Sequence, residues 1–178
     1  MDITQFWKLI EDARSQVPDP AEGEAVADSA AALLATRPRH EIAAAEQVLW
    51  GLMTSSYRNP LWAAAYVING GCSDDGFDYF RGWLITQGHD VFQRAVADPD
   101  TLAELPAVLA ASEDGEEMEC EGTLSIAANA YLTATGEKLP DDTFTVEYPE
   151  LDPAWEFDFD DAAEIRRRLP RLAALYRG

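Results

Sequence analysis

The sequence predicts a mainly α-helical protein: a compact single-domain bundle of several helices, followed by an acidic, proline-punctuated C-terminal arm and a final helix. Three observations carry that expectation. Apolar residues recur at three- and four-residue spacing through most of residues 1–136. Those stretches are punctuated by capping residues and prolines at their starts and by Gly or Pro at their ends. Acidic residues concentrate in two stretches that lack this periodicity, residues 112–122 and 137–161. A length of 178 residues suits one domain. Such a chain removes roughly 70% of its unfolded surface from water, so it needs no disulfide or metal to form a core. The expected division is a helical core over 1–136, the arm over 137–160 and the last helix over 161–177.

The elements follow in order. Residues 2–17 form an amphipathic helix with Ile3, Phe6, Trp7, Ile10, Ala13 and Val17 on one face, and Asp2 with Gln5 set a capping box. Pro18 and Pro20 end it. An alanine-rich helix over 22–36 turns Val26, Ala30, Leu33 and Leu34 inward. Pro38 opens a third over 39–57, with a stripe of Ile42, Ala45, Leu49, Leu52, Met53 and Ser56. Asn59 caps a fourth with Pro60 in its first position. Leu61, Trp62, Ala65, Tyr66 and Ile68 leave it apolar on most sides, the mark of a buried central helix, and Gly70 and Gly71 stop it. Ser73 caps a fifth, with Asp74 and Asp75 in a first turn that favours anions, and Gly88 ends it. Short helices over 90–97 and 99–109 precede the first acidic stretch, which reads as a mobile surface loop. A helix over 123–135 closes at Gly136. Residues 143–148 alternate like a strand but have no partner strand, so 137–161 reads as an extended arm anchored by Phe144, Tyr148, Trp155 and Phe157. The last helix, 160–176, gathers Arg166, Arg167, Arg168 and Arg171, with Arg177 just beyond it. Neutralising the arm is the expected use of these arginines.

A formal charge of −20 repels phosphate backbones and anionic membranes, so neither nucleic acid nor a membrane is an expected partner. The start, MDITQFWK, lacks the pattern of a secretory signal, and the apolar run 61–68 is far short of a membrane span. Cys72 and Cys120 make no CxxC pair. A reduced, cytoplasmic location follows from these points.

The polar residues that could carry chemistry crowd into residues 59–105. Ser73, Asp74, Asp75, Asp78, Arg81 and His89 are the candidate catalytic set, with Tyr66 and Tyr79 nearby. Asp74, Asp75 and Asp78 have the DDxxD spacing that resembles the magnesium-binding motif of isoprenoid synthases. Asp74 and Asp78 stand one turn apart, where two carboxylates share a hard cation. No second metal motif accompanies them, and first-turn aspartates suit a helix start without any metal. No cofactor is expected, and the one alternative is a Mg or Ca ion at these aspartates. Arg81 is placed to pair with Asp78 at i+3. His89 sits about 20 Å from Asp74, at 1.5 Å per residue along the helix, so it joins no acid–base set with the aspartates. It reads as a helix-end cation or hydrogen-bonding group. Cys72 precedes a helix cap, yet Asp74 and Asp75 oppose a thiolate there.

The segments Phe6-Trp7-Lys8-Leu9-Ile10, Leu61-Trp62-Ala63-Ala64-Ala65-Tyr66, Ser73-Asp74-Asp75-Gly76-Phe77 and Phe80-Arg81-Gly82-Trp83-Leu84-Ile85, together with Gly88 and Asp98-Pro99-Asp100-Thr101-Leu102, form a set. It resembles an uncharacterised bacterial family, domain of unknown function 4240. The resemblance covers the first two-thirds of the chain and implies a small, mainly helical cytosolic protein. It supplies no activity.

Three functions remain from the sequence. The first is an acidic binding or regulatory module for a protein or small cationic ligand. The second is an enzyme with a polar, metal-assisted pocket around residues 73–81. The third is an acidic inhibitor or immunity-type protein directed at a basic enzyme. Oligomeric state is not encoded in any of these features.

Overall fold

The computed structural model describes residues 1–176 and is mostly helical; among the described residues there is no β-strand. Helix α1 (Ile3–Arg14) starts on the expected capping box, in which Asp2 and Gln5 exchange hydrogen bonds of 2.9 Å. It buries Phe6, Trp7, Leu9, Ile10 and Ala13. Ile3 is instead half exposed, and the helix ends before Val17. Helix α2 (Gly23–Leu34) packs between α1 and a later helix, α8 (Ile126–Thr135), which in turn packs on α3 (Arg39–Ser55). The whole predicted stripe of α3, including Ser56, is buried.

Helix α4 (Asn59–Asn69) is buried on most sides, as its composition demands, but its cap differs from expectation. Arg58 is the N-cap residue, and Asn59 is already helical. The Asn59 side chain turns outward from the helix start and donates to the Asp152 carbonyl at 3.0 Å, which ties the arm down. Gly70, at φ 67°, closes α4 in the left-handed conformation.

Helix α5 (Asp74–Thr86) is the hub, and touches α1, α2, α3, α4 and α6 (His89–Ala97). Every residue from Phe80 to Thr86 is buried. Gly82 lies in the middle of this run because the backbone of residues 116–122 crosses it: a Cβ there would overlap the Cys120 carbonyl oxygen. The Thr123 hydroxyl donates to the Gly82 carbonyl at 3.0 Å and locks the crossing.

Four expectations are corrected by tertiary packing. Residues 99–109 do not form one helix. A 3-10 helix (Pro99–Glu104) stops at Leu105, and Pro106 begins α7 (Pro106–Asp114). Residues 112–122 are not a free loop. The first three complete α7, and the rest run as an extended segment pinned at both ends. Asn69 accepts from the Met118 N–H at 2.9 Å and donates back to its carbonyl at 3.4 Å; the Cys120 N–H donates to the Tyr79 carbonyl at 3.0 Å. Met118 and Cys120 are buried. This segment leads through a 3-10 turn (Gly122–Ser125) into α8, so the expected helix over 123–135 is α-helical only from Ile126.

The third correction concerns the last helix. It is two helices, α9 (Ala162–Arg168) and α10 (Pro170–Tyr176), because Pro170 has no N–H to continue α9. The fourth is the role of the arginines. Arg167 and Arg168 pair with Glu164 of their own helix, at 2.6 and 2.9 Å. Arg171 pairs with Asp98, Asp100 and Glu104 of the core. Arg168 engages the arm, through the rings of Trp155 and Phe157. Arg177 lies outside the described residues.

The arm itself is extended and anchored as expected. Phe144 stacks on Trp50 at 5.0 Å and Tyr148 packs on Tyr57 at 4.5 Å. Gln47 brackets Thr145 with two hydrogen bonds. A 3-10 turn (Pro153–Trp155) then leads into the aromatic run Trp155, Phe157 and Phe159.

Candidate functional site

The Ser73 hydroxyl oxygen accepts from the Gly76 N–H at 3.1 Å and starts α5. Asp74 and Asp75 occupy the first turn and face solvent, where the helix N-terminus favours their charge. Asp78 does not turn to join them. Its carboxylate accepts from the Arg81 guanidinium, the i+3 pair the sequence predicted.

Arg81 has no solvent exposure at all. A buried guanidinium requires both a counter-charge and a full set of acceptors. Asp78 supplies the charge. Nε donates to the Phe77 carbonyl at 3.3 Å and Nη1 to the Met53 carbonyl, so each of the three guanidinium nitrogens has an acceptor. Aromatic faces close the cage, with the guanidinium carbon 4.6 Å from the Phe77 ring centroid, 5.1 Å from Tyr57 and 5.7 Å from Tyr148. Tyr148 comes from the arm, so the arm forms one wall of the cage. Arg81 therefore joins α3, α5 and the arm, and presents no donor to an incoming substrate.

His89 lies at the other end of α5, as the helix length required. It is the first residue of α6, placed there by Gly88 at φ 94°. This corrects the expectation of a helix C-terminal cation, because α5 ends at Thr86 and the imidazole stands at a helix start. Its Nδ1 is 3.3 Å from Asp90, and its ring meets the edge of Trp7 at 5.2 Å. Tyr66 donates to Asp160 at 3.1 Å. The Tyr79 phenol is raised above its usual range, chiefly by Glu121. Burial, followed by Glu119, pushes the Cys72 thiol up to about 12. At neutral pH it is a thiol and a poor nucleophile. Among the described residues, no group of three or more His, Cys, Asp or Glu side chains is arranged to hold a metal ion.

The polar feature that the fold does assemble lies on the other side of α5. The pinned segment 116–119, the start of α2 and α7 enclose a groove of about 530 Å³. Its floor is apolar, made by Trp83, Met118, Ala107 and Ala110. Its rim carries six carboxylates: Asp19, Glu22, Glu24, Glu116, Glu117 and Glu119. Among the described residues, no basic side chain lines it. Glu24 is tied to the segment by accepting from the Gly122 N–H at 3.2 Å. Glu119 is held above the usual carboxylate range, first by burial and then by the nearby Glu117. Mutual repulsion of this kind is relieved by a bound cation. The groove was hidden from sequence reading because it depends on the Asn69–Met118 pairing, which joins residues 49 apart. The acidity of 112–122 was its only sequence signal.

A model of the family described as protein of unknown function (DUF4240) matches residues 1–133. The chain belongs to the DUF4240 family. No curated protein and no solved structure matches it. The DUF4240 span contains α5, the Arg81 side chain and the whole acidic groove. The arm, α9 and α10 lie beyond it, so the Tyr148 wall of the Arg81 cage stands outside the matched span. Among the described residues, no helix is long and apolar enough to cross a membrane.

Proposed function

We propose that the protein is a small acidic binding or regulatory module of the cytoplasm, whose groove between α2, α7 and residues 116–119 receives basic side chains of a protein partner. The observation that carries this reading is the pairing of an apolar floor with a rim of carboxylates and no internal counter-charge. Lysine and arginine match both parts at once, because their aliphatic stems cover apolar surface while their heads remain among carboxylates. The net charge of −20 adds long-range attraction for a basic partner and disfavours nucleic acid. No cofactor is part of this function.

The test is a pull-down from the host with the native chain and with a Glu22→Lys, Glu116→Lys, Glu117→Lys variant. These three side chains make no structural hydrogen bond of their own, so the fold is retained. The native chain recovers a basic protein that the variant loses, and the complex weakens as salt is raised. Equal recovery by both chains would overturn the reading.

A further inference from the structure

A second cavity, of about 650 Å³, lies where residues 151–159 of the arm cross the start of α4. That volume is within the range of small-ligand sites. Trp62, Trp155, Phe157 and Phe159 line it, together with Asn59 and the exposed carboxylates Glu156 and Asp158. Exposure alternates along this stretch: the rings of Trp155, Phe157 and Phe159 are half-buried, and Glu156, Asp158 and Asp160 between and after them are exposed.

These walls are held by contacts outside the cavity. Trp62 stacks on Phe77 at 4.7 Å and donates its indole N–H to the Cys72 carbonyl at 3.0 Å. Asn59 is fixed by its bond to the Asp152 carbonyl. Trp155 and Phe157 share the Arg168 guanidinium, whose central carbon is 4.7 Å from each ring centroid. Walls restrained in advance lose little entropy when a ligand arrives.

The lining selects the ligand's charge. Aromatic faces carry negative quadrupole density and attract cations, and Glu156 and Asp158 add full negative charge. Among the described residues, no basic side chain lines the cavity. Arg168 demonstrates within this chain that the same two rings accept a delocalised cation. We propose that this cavity binds a small organic cation with an apolar or aromatic body, such as an alkylated ammonium. The site is independent of the acidic groove, and most of its residues lie beyond the family span.

The test follows the five tryptophan indole N–H signals by NMR while benzyltrimethylammonium is added, each signal being assigned by a Trp→Phe variant. The signals of Trp62 and Trp155 shift and saturate, while those of Trp7, Trp50 and Trp83 stay in place. Benzyl alcohol, a neutral probe with the same ring, leaves all five unmoved. The exposed double variant Glu156→Gln, Asp158→Asn weakens binding by about threefold to tenfold. Trp155→Leu weakens it by about tenfold or more. The groove variant leaves the affinity unchanged. The proposal is overturned by the absence of any shift at Trp62 and Trp155 up to about 10 mM probe. Equal shifts with benzyl alcohol, or unchanged affinity in the Glu156→Gln, Asp158→Asn variant, would overturn it equally.

Discussion

Asp100 caps a helix from far along the chain: its two carboxylate oxygens accept the backbone N–H of Arg171, 71 residues on, at 3.1 and 3.0 Å. The Leu172 N–H joins at 3.0 Å, and Arg171 Nε returns to the same carboxylate at 3.1 Å. The orphan donors created by Pro170 at the start of α10 are thus satisfied from the 3-10 helix Pro99–Glu104. Asp100 is itself buried, so the arrangement is shielded from competing water.

Asp100→Ala therefore leaves two N–H groups of α10 without acceptors, and it lowers unfolding free energy by about 2 kcal/mol. Arg171→Met removes only partly exposed ion pairs and costs less. Chemical denaturation of the two variants measures both values. A larger loss for Arg171→Met would show that the ion pairs, and not the cap, hold α10.

The same substitution has opposite signs at two helical glycines. Gly51 in α3 has nothing within 4 Å of an added Cβ, so Gly51→Ala stabilises by about 1 kcal/mol through helix propensity. At Gly82 the added methyl meets the Cys120 carbonyl, and Gly82→Ala destabilises by about 1 kcal/mol or more despite the same propensity gain. Thermal midpoints of the pair resolve the sign. Stabilisation at both positions would mean that residues 116–122 do not lie against α5.

Glu46 is 5% exposed; one carboxylate oxygen accepts from the Trp50 indole at 3.1 Å and the other has no partner. Burial raises its carboxyl above the usual range, outweighing the opposing effect of the Trp50 bond. A raised acid favours the protonated folded state. Its contribution is fully present below the unfolded carboxyl value and is lost as pH rises through the folded one. Glu46→Gln, which cannot ionise, gains stability relative to the native chain from about pH 4 towards neutrality. The remaining charges are common to both chains, so the gap between their denaturation midpoints isolates this group. A gap independent of pH would contradict it.

Buried residues from α1 through α10 belong to one apolar cluster, including Ile165, Leu172 and Ala173 from the last two helices and Leu169 between them. Unfolding followed by far-UV and near-UV circular dichroism is expected to give coincident transitions over residues 1–178. Two separated transitions would divide the arm and final helices from the core.

The sequence by itself determined the helical class, most of the inward face of α1, the inward face of α3, the Asp2–Gln5 capping box and the Asp78–Arg81 pair. Each of these depends on residues within a few turns of one another, where periodicity and cap chemistry act directly. Tertiary structure alone decided that Arg81 is sealed in a cage with Tyr148, and that residues 116–122 form the wall of an acidic groove. It also decided that Asp100 caps α10. Those outcomes depend on which backbone groups and rings are carried together from distant positions. Acidity in 112–122 reads as solvation when the chain is taken locally. Asn69 and the small surface of Gly82 turn that stretch into an ordered part of the protein.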